Sequence, residues 1–487
     1  MNLAQLLSGV EVLSLCGDLT RPVPALASDS RQVTPGTVFV CLTPGGERRV
    51  DRHEYVPDAL ARGAAAVVVE REVAVPSEVT VVQVADTWAA LAKMAANFYG
   101  HPSRELTVVG ITGTNGKTST VYLAEGILDA AGRKVAVVGT VRYRLGEEER
   151  AAPNTTPEAL PLQRLFREAC ERGMDTVIME VSSHGLAQKR VAEVDFDLGV
   201  FTNLSQDHLD FHPTWEHYRD AKALLFASLA PDRTAILNAD DPLSSYMRSR
   251  CRCRVLTFGL ERPAEIRATR IDSAWQGLRF EARTPAGKAE FALRLVGEHN
   301  VYNALGALAI GLTLGVDLDT ARTGMAEVKV PGRFELVDQG QDFIVAVDYA
   351  HTPGALERVL RVARNLRPRR LICVFGCGGD RDPDKRPKMG RLAAELADLT
   401  IVTSDNPRTE DPLAIIADIQ KGIPVGAAVQ ILPDRREAIF AAVRQAGPGD
   451  IVLIAGKGHE TYQRFKDYTV PFDDRQVAAE ALQQESG

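Results

Sequence analysis

The sequence predicts an α/β protein of three domains, and three observations carry that expectation. The chain has 487 residues, too many for one hydrophobic core. β-branched apolar runs alternate with segments of helical period, and the alternation restarts near residue 103 and again near 332. Glycine-rich or polar motifs follow directly on the apolar runs, at strand carboxyl ends, where open parallel sheets hold ligands. The expected limits are 1–102 for a small N-terminal α/β domain, 103–331 for a central parallel-sheet domain and 332–487 for a C-terminal doubly wound domain.

Composition excludes several classes. Hydrophobic residues make up 45% and charged residues 25%, as in ordinary soluble domains. No apolar run of about 18 residues predicts a membrane span. The first basic residue is Arg21, so no positively charged leader precedes an apolar stretch. A net charge of -7 argues against nucleic-acid binding through an overall basic field. Seven cysteines, with Cys251 and Cys253 as an isolated pair, fit reduced thiols in a cytoplasm better than disulfides or zinc.

In the first segment, Val38–Val40, 64–70 and 79–84 read as strands and 88–99 as a helix stopped by Gly100. Ser28-Asp29-Ser30-Arg31 could hold a phosphate through hydroxyls and a guanidinium. A capped turn with a surface arginine explains it as well.

The second segment opens with an apolar strand, Leu106 to Ile111, then Gly113, Thr114, Asn115, Gly116, Lys117, Thr118 and Ser119, then a helix closed by Gly132. Glycines let backbone N–H groups approach an anion, and the helix N-terminus adds positive potential. Lys117 reaches terminal phosphates and Thr118 can meet Mg²⁺. Ile111 stands where the usual phosphate loop has its first glycine, and Gly110 lies one residue earlier, which argues against an ordinary kinase or transport ATPase. The central domain is therefore expected to be P-loop ATPase-like, and the C-terminal one Rossmann-like.

Further strands are expected at 135–139, 176–181, 198–202 and 234–237, with helices at 158–171, 218–229 and 300–314. Glu180 ends one strand, and His208 lies just past another in a polar loop with Asn203, Asp207, Asp210 and His212. A carboxylate and an imidazole beside a phosphate loop suit a divalent metal. Asn154-Thr155-Thr156-Pro157 precedes a helix, with Thr156 as N-cap, and can also offer hydrogen bonds to a polar substrate. Lys222 sits in a helix whose apolar stripe reads Ala221, Leu224, Leu225, Leu229; by itself it is a solvated lysine.

In the third segment, strands are expected at 343–347, 371–375, 399–402 and 451–454. Asp348 ends the first and could accept from a ribose. Arg381, Lys385, Arg386, Lys388 and Arg391 crowd one glycine-started stretch, either an anion-binding cluster or a solvated charge run. Asp405-Asn406-Pro407-Arg408 offers an acid, an amide and a guanidinium around a rigid proline, a set able to read ammonium and carboxylate on one stereocentre.

Together GITGTNGKTST, NTTP, EVSSHGL, TNLSQDHLDFH, HNVYNALGA, PGRFE, DYAHTP, DNPR and GKGHE, in this order and spanning nearly the whole chain, resemble the Mur ligase family of ATP-dependent amide ligases. The resemblance implies peptidoglycan precursor synthesis, hence roles in cell wall, shape and division, by a cytoplasmic monomer. It implies ATP at Gly113 to Ser119, Asn300, Arg333 and Asp348. It implies Mg²⁺ at Thr118, Glu180 and His208, with Lys222 carbamylated by CO₂ so that a carbamate can hold a second Mg²⁺. Catalysis would then rest on Lys117, His208 and Lys222.

For UDP-N-acetylmuramoyl-L-alanyl-D-glutamate the resemblance implies Ser28, Ser30, Thr43, Pro44, Gly45 and Gly46 at the uridine-diphosphate end. Asn154, Thr155, Thr156, Ser182, Gln188 and Arg190 would take the muramoyl-dipeptide end. Within the family, DNPR marks members that add meso-2,6-diaminopimelate, which implies Arg381, Asp405, Asn406, Pro407, Arg408, Gly456 and Glu460 as its site. Three ligands on three domains would also imply domain closure. The alternatives are an L-lysine-adding member and a folylpolyglutamate-type ligase.

Overall fold

The structure, a computed structural model, describes residues 1–45, 50–208 and 211–485. The chain forms two compact units. One contains 1–271, 280–292 and 299–327; the other contains 328–487 together with 272–279 and 293–298.

The first unit holds two sheets. The smaller has five strands in the order Val12–Cys16, Thr80–Val84, Ala66–Val69, Val38–Val40, Leu26–Ala27. All pairs are parallel except the first. Alternation sorts its residues: Val38, Val40, Ala66 and Val68 pack on one face, Phe39, Val67 and Val69 on the other. The expected limit near 102 falls between this sheet and the larger one, within one compact unit.

The larger sheet has eleven strands. From one edge they run Gly287–Leu293, Gly277–Thr284, Ile266–Ala274, Arg254–Gly259, Thr234–Asn238, Leu198–Phe201, Thr107–Thr112, Thr176–Glu180, Val135–Val138, Arg142–Leu145 and Glu148–Ala151. The seven from Ile266–Ala274 to Val135–Val138 are mutually parallel, and the last two form an antiparallel hairpin. Register pairs Ile111 with Glu180 on one side and with Val200 on the other. Three neighbouring strands thus deliver the glycine loop, Glu180 and the 202–208 loop side by side.

Helix Lys117–Ala130 packs closely on helix Leu318–Ala326, where a Cβ on Gly324 would stand 2.3 Å from the Gly126 carbonyl oxygen. Only glycine allows that approach. Gly324→Ala is expected to push the two helices apart.

The hairpin 142–151 was not expected, because its strands are rich in charge. Ion pairs compensate: Arg142 and Arg144 clasp the buried Glu125, and Arg150 holds Glu168 at 2.5 Å. Two further expectations need correction. Thr156 is not a helix N-cap; the helix runs Ala159–Glu171 from Glu158, and the Thr156 hydroxyl is used elsewhere. In helix Trp215–Ala227 the buried face is Tyr218, Ala221, Lys222, Ala223, Leu225 and Phe226, whereas Leu224 is 49% exposed. The stripe is rotated because Lys222 finds polar partners inside.

In the second unit six strands run Glu335–Leu336, Ile344–Asp348, Ile451–Ala455, Leu371–Phe375, Leu399–Val402, Val429–Ile431. The first pair is antiparallel and the rest are parallel. Asp348, Ala455, Phe375 and Val402 lie in register across four strands. Every polar motif of this segment therefore leaves the sheet at one edge. Helices Pro353–Asn365, Lys385–Leu396 and Pro412–Gln420 cover one face, Arg435–Gln445 and Asp474–Glu485 the other.

Between those last two helices Arg435 and Asp474, both fully buried, form a bidentate pair at 2.8 and 2.7 Å. Arg435 also donates to the Ala455 carbonyl at 3.0 Å and to that of Ser404 at 3.4 Å, tying two of the strand ends together. Arg435→Met strands a buried carboxylate, and the expected loss in urea unfolding of this unit is about 3–5 kcal/mol. The Arg435→Met/Asp474→Leu double variant should recover most of it. No helix among the described residues is long and apolar enough to cross a membrane.

Candidate active site

The glycine loop is held from beneath by backbone-directed hydrogen bonds. Thr202 Oγ1 donates to the Asn115 carbonyl at 2.6 Å, and Asn203 brackets the same residue through Nδ2 (3.1 Å) and Oδ1 (3.1 Å). Thr114 N–H donates to the Asn203 carbonyl at 2.8 Å, and the Thr114 and Tyr218 hydroxyls meet at 2.9 Å. Gly116, at φ 86°, could not carry a side chain, since a Cβ would lie 2.3 Å from Asn303 Oδ1. Asn303, packed against Gly116, in turn donates to Asn300 Oδ1 at 2.8 Å.

Two lysines meet at this loop. Lys117 Nζ donates to the carbonyls of Gly113 (2.9 Å) and Thr114 (3.0 Å), and Lys222 Nζ donates to the Gly113 carbonyl at 2.8 Å. Lys222 is 1% exposed and stands over the Tyr218 ring at 4.9 Å. Burial, with the neighbouring charge of Lys117, holds its ammonium well below the usual lysine range.

Glu180 is the second focus. Its carboxylate accepts from the Thr118 hydroxyl at 3.0 and 3.1 Å, from Thr140 N–H at 2.8 Å and from the Thr140 hydroxyl at 3.0 Å. Thr140 also meets Thr155 Oγ1 at 3.0 Å, which carries the network into the NTTP segment. A hard cation fits this donor set: one buried carboxylate, with hydroxyls on both sides, at the start of a phosphate-loop helix. Among the described residues no three or more His, Cys, Asp or Glu side chains group as a metal cage, so phosphate and water oxygens would have to complete the shell.

His208 has φ 52°, and its N–H donates to Asp207 Oδ1 at 2.8 Å. Its ring lies 4.8 Å from that of His184, which in turn packs on Phe211 at 4.0 Å. Burial and the surrounding imidazoles push His184 down to about 3, so it stays neutral. Asp210 of this loop, like Gly46, lies outside the described residues.

A chain of contacts joins the segments expected at the two ends of the nucleotide-linked substrate. The Gly45 carbonyl accepts from Gln188 Nε2 at 2.9 Å across 143 residues of sequence. Gln188 Oε1 accepts from Arg190 at 2.9 Å, and Arg190 donates to the Thr156 carbonyl at 2.7 Å. The Thr156 hydroxyl donates to the Glu180 carbonyl and accepts from Ser182 N–H, both at 2.9 Å. Ser182 Oγ caps the following turn through Gly185 N–H at 3.0 Å, and the Asn154 carbonyl takes the Tyr143 hydroxyl.

Thr43, next to Pro44, donates to Glu70 at 3.3 Å. Ser28 and Ser30 are each 6% exposed. Arg31 is paired with Asp29 and stands outward.

In the second unit Asp348 receives N–H bonds from Phe334 and Ala350, both at 2.8 Å, and burial raises its carboxyl above the usual range against the pull of Arg333. Arg333 lies over the Tyr349 ring at 4.9 Å.

The DNPR segment is buried except for Arg408. Asn406 Nδ2 donates to Glu460 Oε2 at 2.7 Å, and Asp405 Oδ2 would be 2.6 Å from a Cβ on Gly456, so the strand-end segments at 405–408 and 456–460 form one site. Arg408, at φ 53°, donates to the Gly379 carbonyl at 2.6 Å, with Gly378 beneath its guanidinium. A non-glycine residue in that region costs about 1–3 kcal/mol. Asp380, beside Arg381, has φ 54°.

The five cations after Gly379 do not converge. Arg386 is 2% exposed and bound to Glu410 (2.8 Å) and Asp418 (3.0 Å), Lys385 donates to the His351 carbonyl at 3.0 Å, and Arg391 faces Glu395 at 3.8 Å. Helical spacing spreads Lys385, Arg386, Lys388 and Arg391 around one helix, Lys385–Leu396, which Arg381 precedes.

Sequence reasoning did not single out Thr140, Tyr218, Asn303 or Lys457 as site residues. A lysine within GKGHE, just past the apolar strand Ile451–Ala455, was the one signal available for Lys457.

One sheet thus carries a phosphate loop with paired lysines and a threonine-clasped carboxylate, and a second, doubly wound sheet carries the polar strand ends of the other unit. Two family profiles match: "Mur ligase middle domain" over residues 111–311 and "Mur ligase, glutamate ligase domain" over 332–458. The chain belongs to the Mur ligase family, whose members are three-domain amide-forming ligases.

It is 45% identical over 490 residues to a UDP-N-acetylmuramoyl-L-alanyl-D-glutamate–2,6-diaminopimelate ligase of Bacillus licheniformis, covering 99% of each chain. It is 47% identical over 471 residues to the enzyme of the same name from Geobacillus kaustophilus, covering 95% of each. A solved structure with that name superposes with a TM-score of 0.70 at 33% identity, covering 100% of this chain and 99% of the other.

Proposed function

We propose that this chain joins meso-2,6-diaminopimelate to the D-glutamate γ-carboxylate of UDP-N-acetylmuramoyl-L-alanyl-D-glutamate with ATP, as a cytoplasmic, monomeric enzyme of peptidoglycan precursor synthesis. The observation that carries the choice of amino acid is the union of Asp405, Asn406 and Arg408 with Gly456 and Glu460 in one polar site. In this reading residues 1–102 serve the UDP end, 103–331 ATP, and 332–487 the amino acid.

The γ-phosphoryl group of ATP passes to the substrate carboxylate, giving ADP and an acyl phosphate. Both reactants are anions, so positive groups must align and neutralise them. Lys117 leaves its resting carbonyl partners to meet the β- and γ-phosphates, while Gly113 to Ser119 supply backbone N–H groups and Asn300, Arg333 and Asp348 serve the nucleoside. Thr118, Glu180 and His208 would hold Mg²⁺, and Lys222 as a carbamate a second ion; these supply Lewis-acid stabilisation of the transferring phosphoryl group. Lys222 suits carbamylation because its buried amine favours the neutral, nucleophilic form that adds CO₂.

Arg408 and Arg381 take the carboxylate of the distal diaminopimelate stereocentre, and Glu460, Asp405 and Asn406 its ammonium. The other, neutral amine attacks the acyl carbon. The tetrahedral intermediate expels inorganic phosphate and the nitrogen loses a proton, leaving the amide. The test is to incubate enzyme, Mg²⁺, ATP, UDP-muramoyl-dipeptide and diaminopimelate, and to compare ADP with the amide by mass. One ADP per UDP-tripeptide is expected; ADP formed without amide product would contradict the reading.

A further inference from the structure

Lys457 is fully buried, an expensive place for an ammonium without compensating partners. Its Nζ donates to Glu460 Oε2 at 3.0 Å and to Asn406 Oδ1 at 3.2 Å. Asn406 Nδ2 donates back to the same Glu460 oxygen at 2.7 Å, closing a ring of ammonium, amide and carboxylate. Arg464 N–H also donates to Asn406 Oδ1, at 2.9 Å. Two donors on one amide atom fix that atom as the oxygen, which turns the NH₂ group toward Glu460. The lysine is the fully buried member of the ring, whereas the Glu460 side chain retains 17% exposure.

Resting on the diaminopimelate reading above, we propose that Lys457 is the positioning residue of the amino-acid site. It sets the amide orientation of Asn406 and aims the exposed edge of Glu460 at the ligand's ammonium group. Lys457 itself touches no reacting atom. Its second role is electrostatic: one buried positive charge balances one of the two carboxylates, Asp405 and Glu460, that the site brings together.

The experiment uses the full-length enzyme and two variants with crossed effects. Lys457→Met keeps the volume and removes the charge and donors; Lys457→Arg keeps the charge and changes the shape. Wild-type ligation of diaminopimelate is measured first, and its absence would refute the functional reading rather than this one. Given that activity, Lys457→Met is expected to raise the diaminopimelate KM by about 10–100-fold, with the KM values for ATP and the UDP-substrate within about twofold of wild type. Lys457→Arg should stay within about threefold of wild type for diaminopimelate. A packing role alone reverses the order, with Met tolerated and Arg impaired, and that result overturns the proposal. So does an equal rise in all three KM values. If Lys457→Met does not fold, Lys457→Arg decides: a diaminopimelate KM raised more than about tenfold refutes the positioning role.

Discussion

Lys117→Ala is expected to abolish acyl-phosphate formation while leaving the UDP-substrate bound as tightly as in the wild type. The expectation follows from where Lys117 sits. It begins helix Lys117–Ala130, and its ammonium is folded onto the Gly113 and Thr114 carbonyls, a resting position from which it can reach phosphates laid on the loop. Removing one preorganised charge from such a site costs about 10²–10³ in rate, and more where two anions must be brought together. The loop should keep its shape, since Thr202 and Asn203 hold it independently of Lys117. Trapping the acyl phosphate with borohydride reads the first effect and calorimetry with the UDP-substrate the second. Retained turnover would sink the assignment of the loop.

The second large effect is expected at Arg408. Its guanidinium is anchored on the Gly379 carbonyl, and its own backbone sits in the left-handed region. Such strain persists only where neighbouring contacts hold it, and here they hold an arginine against the DNPR site. Arg408→Lys replaces a planar fork by a point charge, which cannot grip a carboxylate bidentately. The expected loss in kcat/KM for diaminopimelate is about 10²–10⁴-fold, with L-lysine, which lacks the distal carboxylate, scarcely affected. Equal losses for both amino acids would mean that Arg408 supports the fold rather than selecting the ligand.

Much of this was legible in the chain, for definable reasons. Parallel inner strands such as Thr176–Glu180 and Ile451–Ala455 are apolar on both faces and announce themselves as short β-branched runs. The phosphate loop carries a local signature. The hairpin 142–151 carries none, since its arginines and glutamates are satisfied by Glu125 and Glu168 on helices remote in sequence. Thr156 looks like a cap beside Pro157, but its hydroxyl has better partners in the Glu180 carbonyl and Ser182 N–H. Lys222 reads as a surface lysine until the fold places the Gly113 carbonyl and the Tyr218 ring around it. The basic run after Gly379 misleads in the opposite direction, because Arg386 is consumed by acids from the next helix and the preceding loop. Local patterns give the elements; who meets whom across 50 or 140 residues, as Lys457 meets Asn406 and Gln188 meets Gly45, is decided by topology.

The most direct measurement of the central claim is amide formation with UDP-N-acetylmuramoyl-L-alanyl-D-glutamate and ATP, run side by side with meso-2,6-diaminopimelate and with L-lysine. The expected result is kcat/KM for diaminopimelate higher by about 10⁴–10⁵, because lysine brings no distal carboxylate to Arg408 in a site built for one. Equal rates for the two amino acids would contradict it.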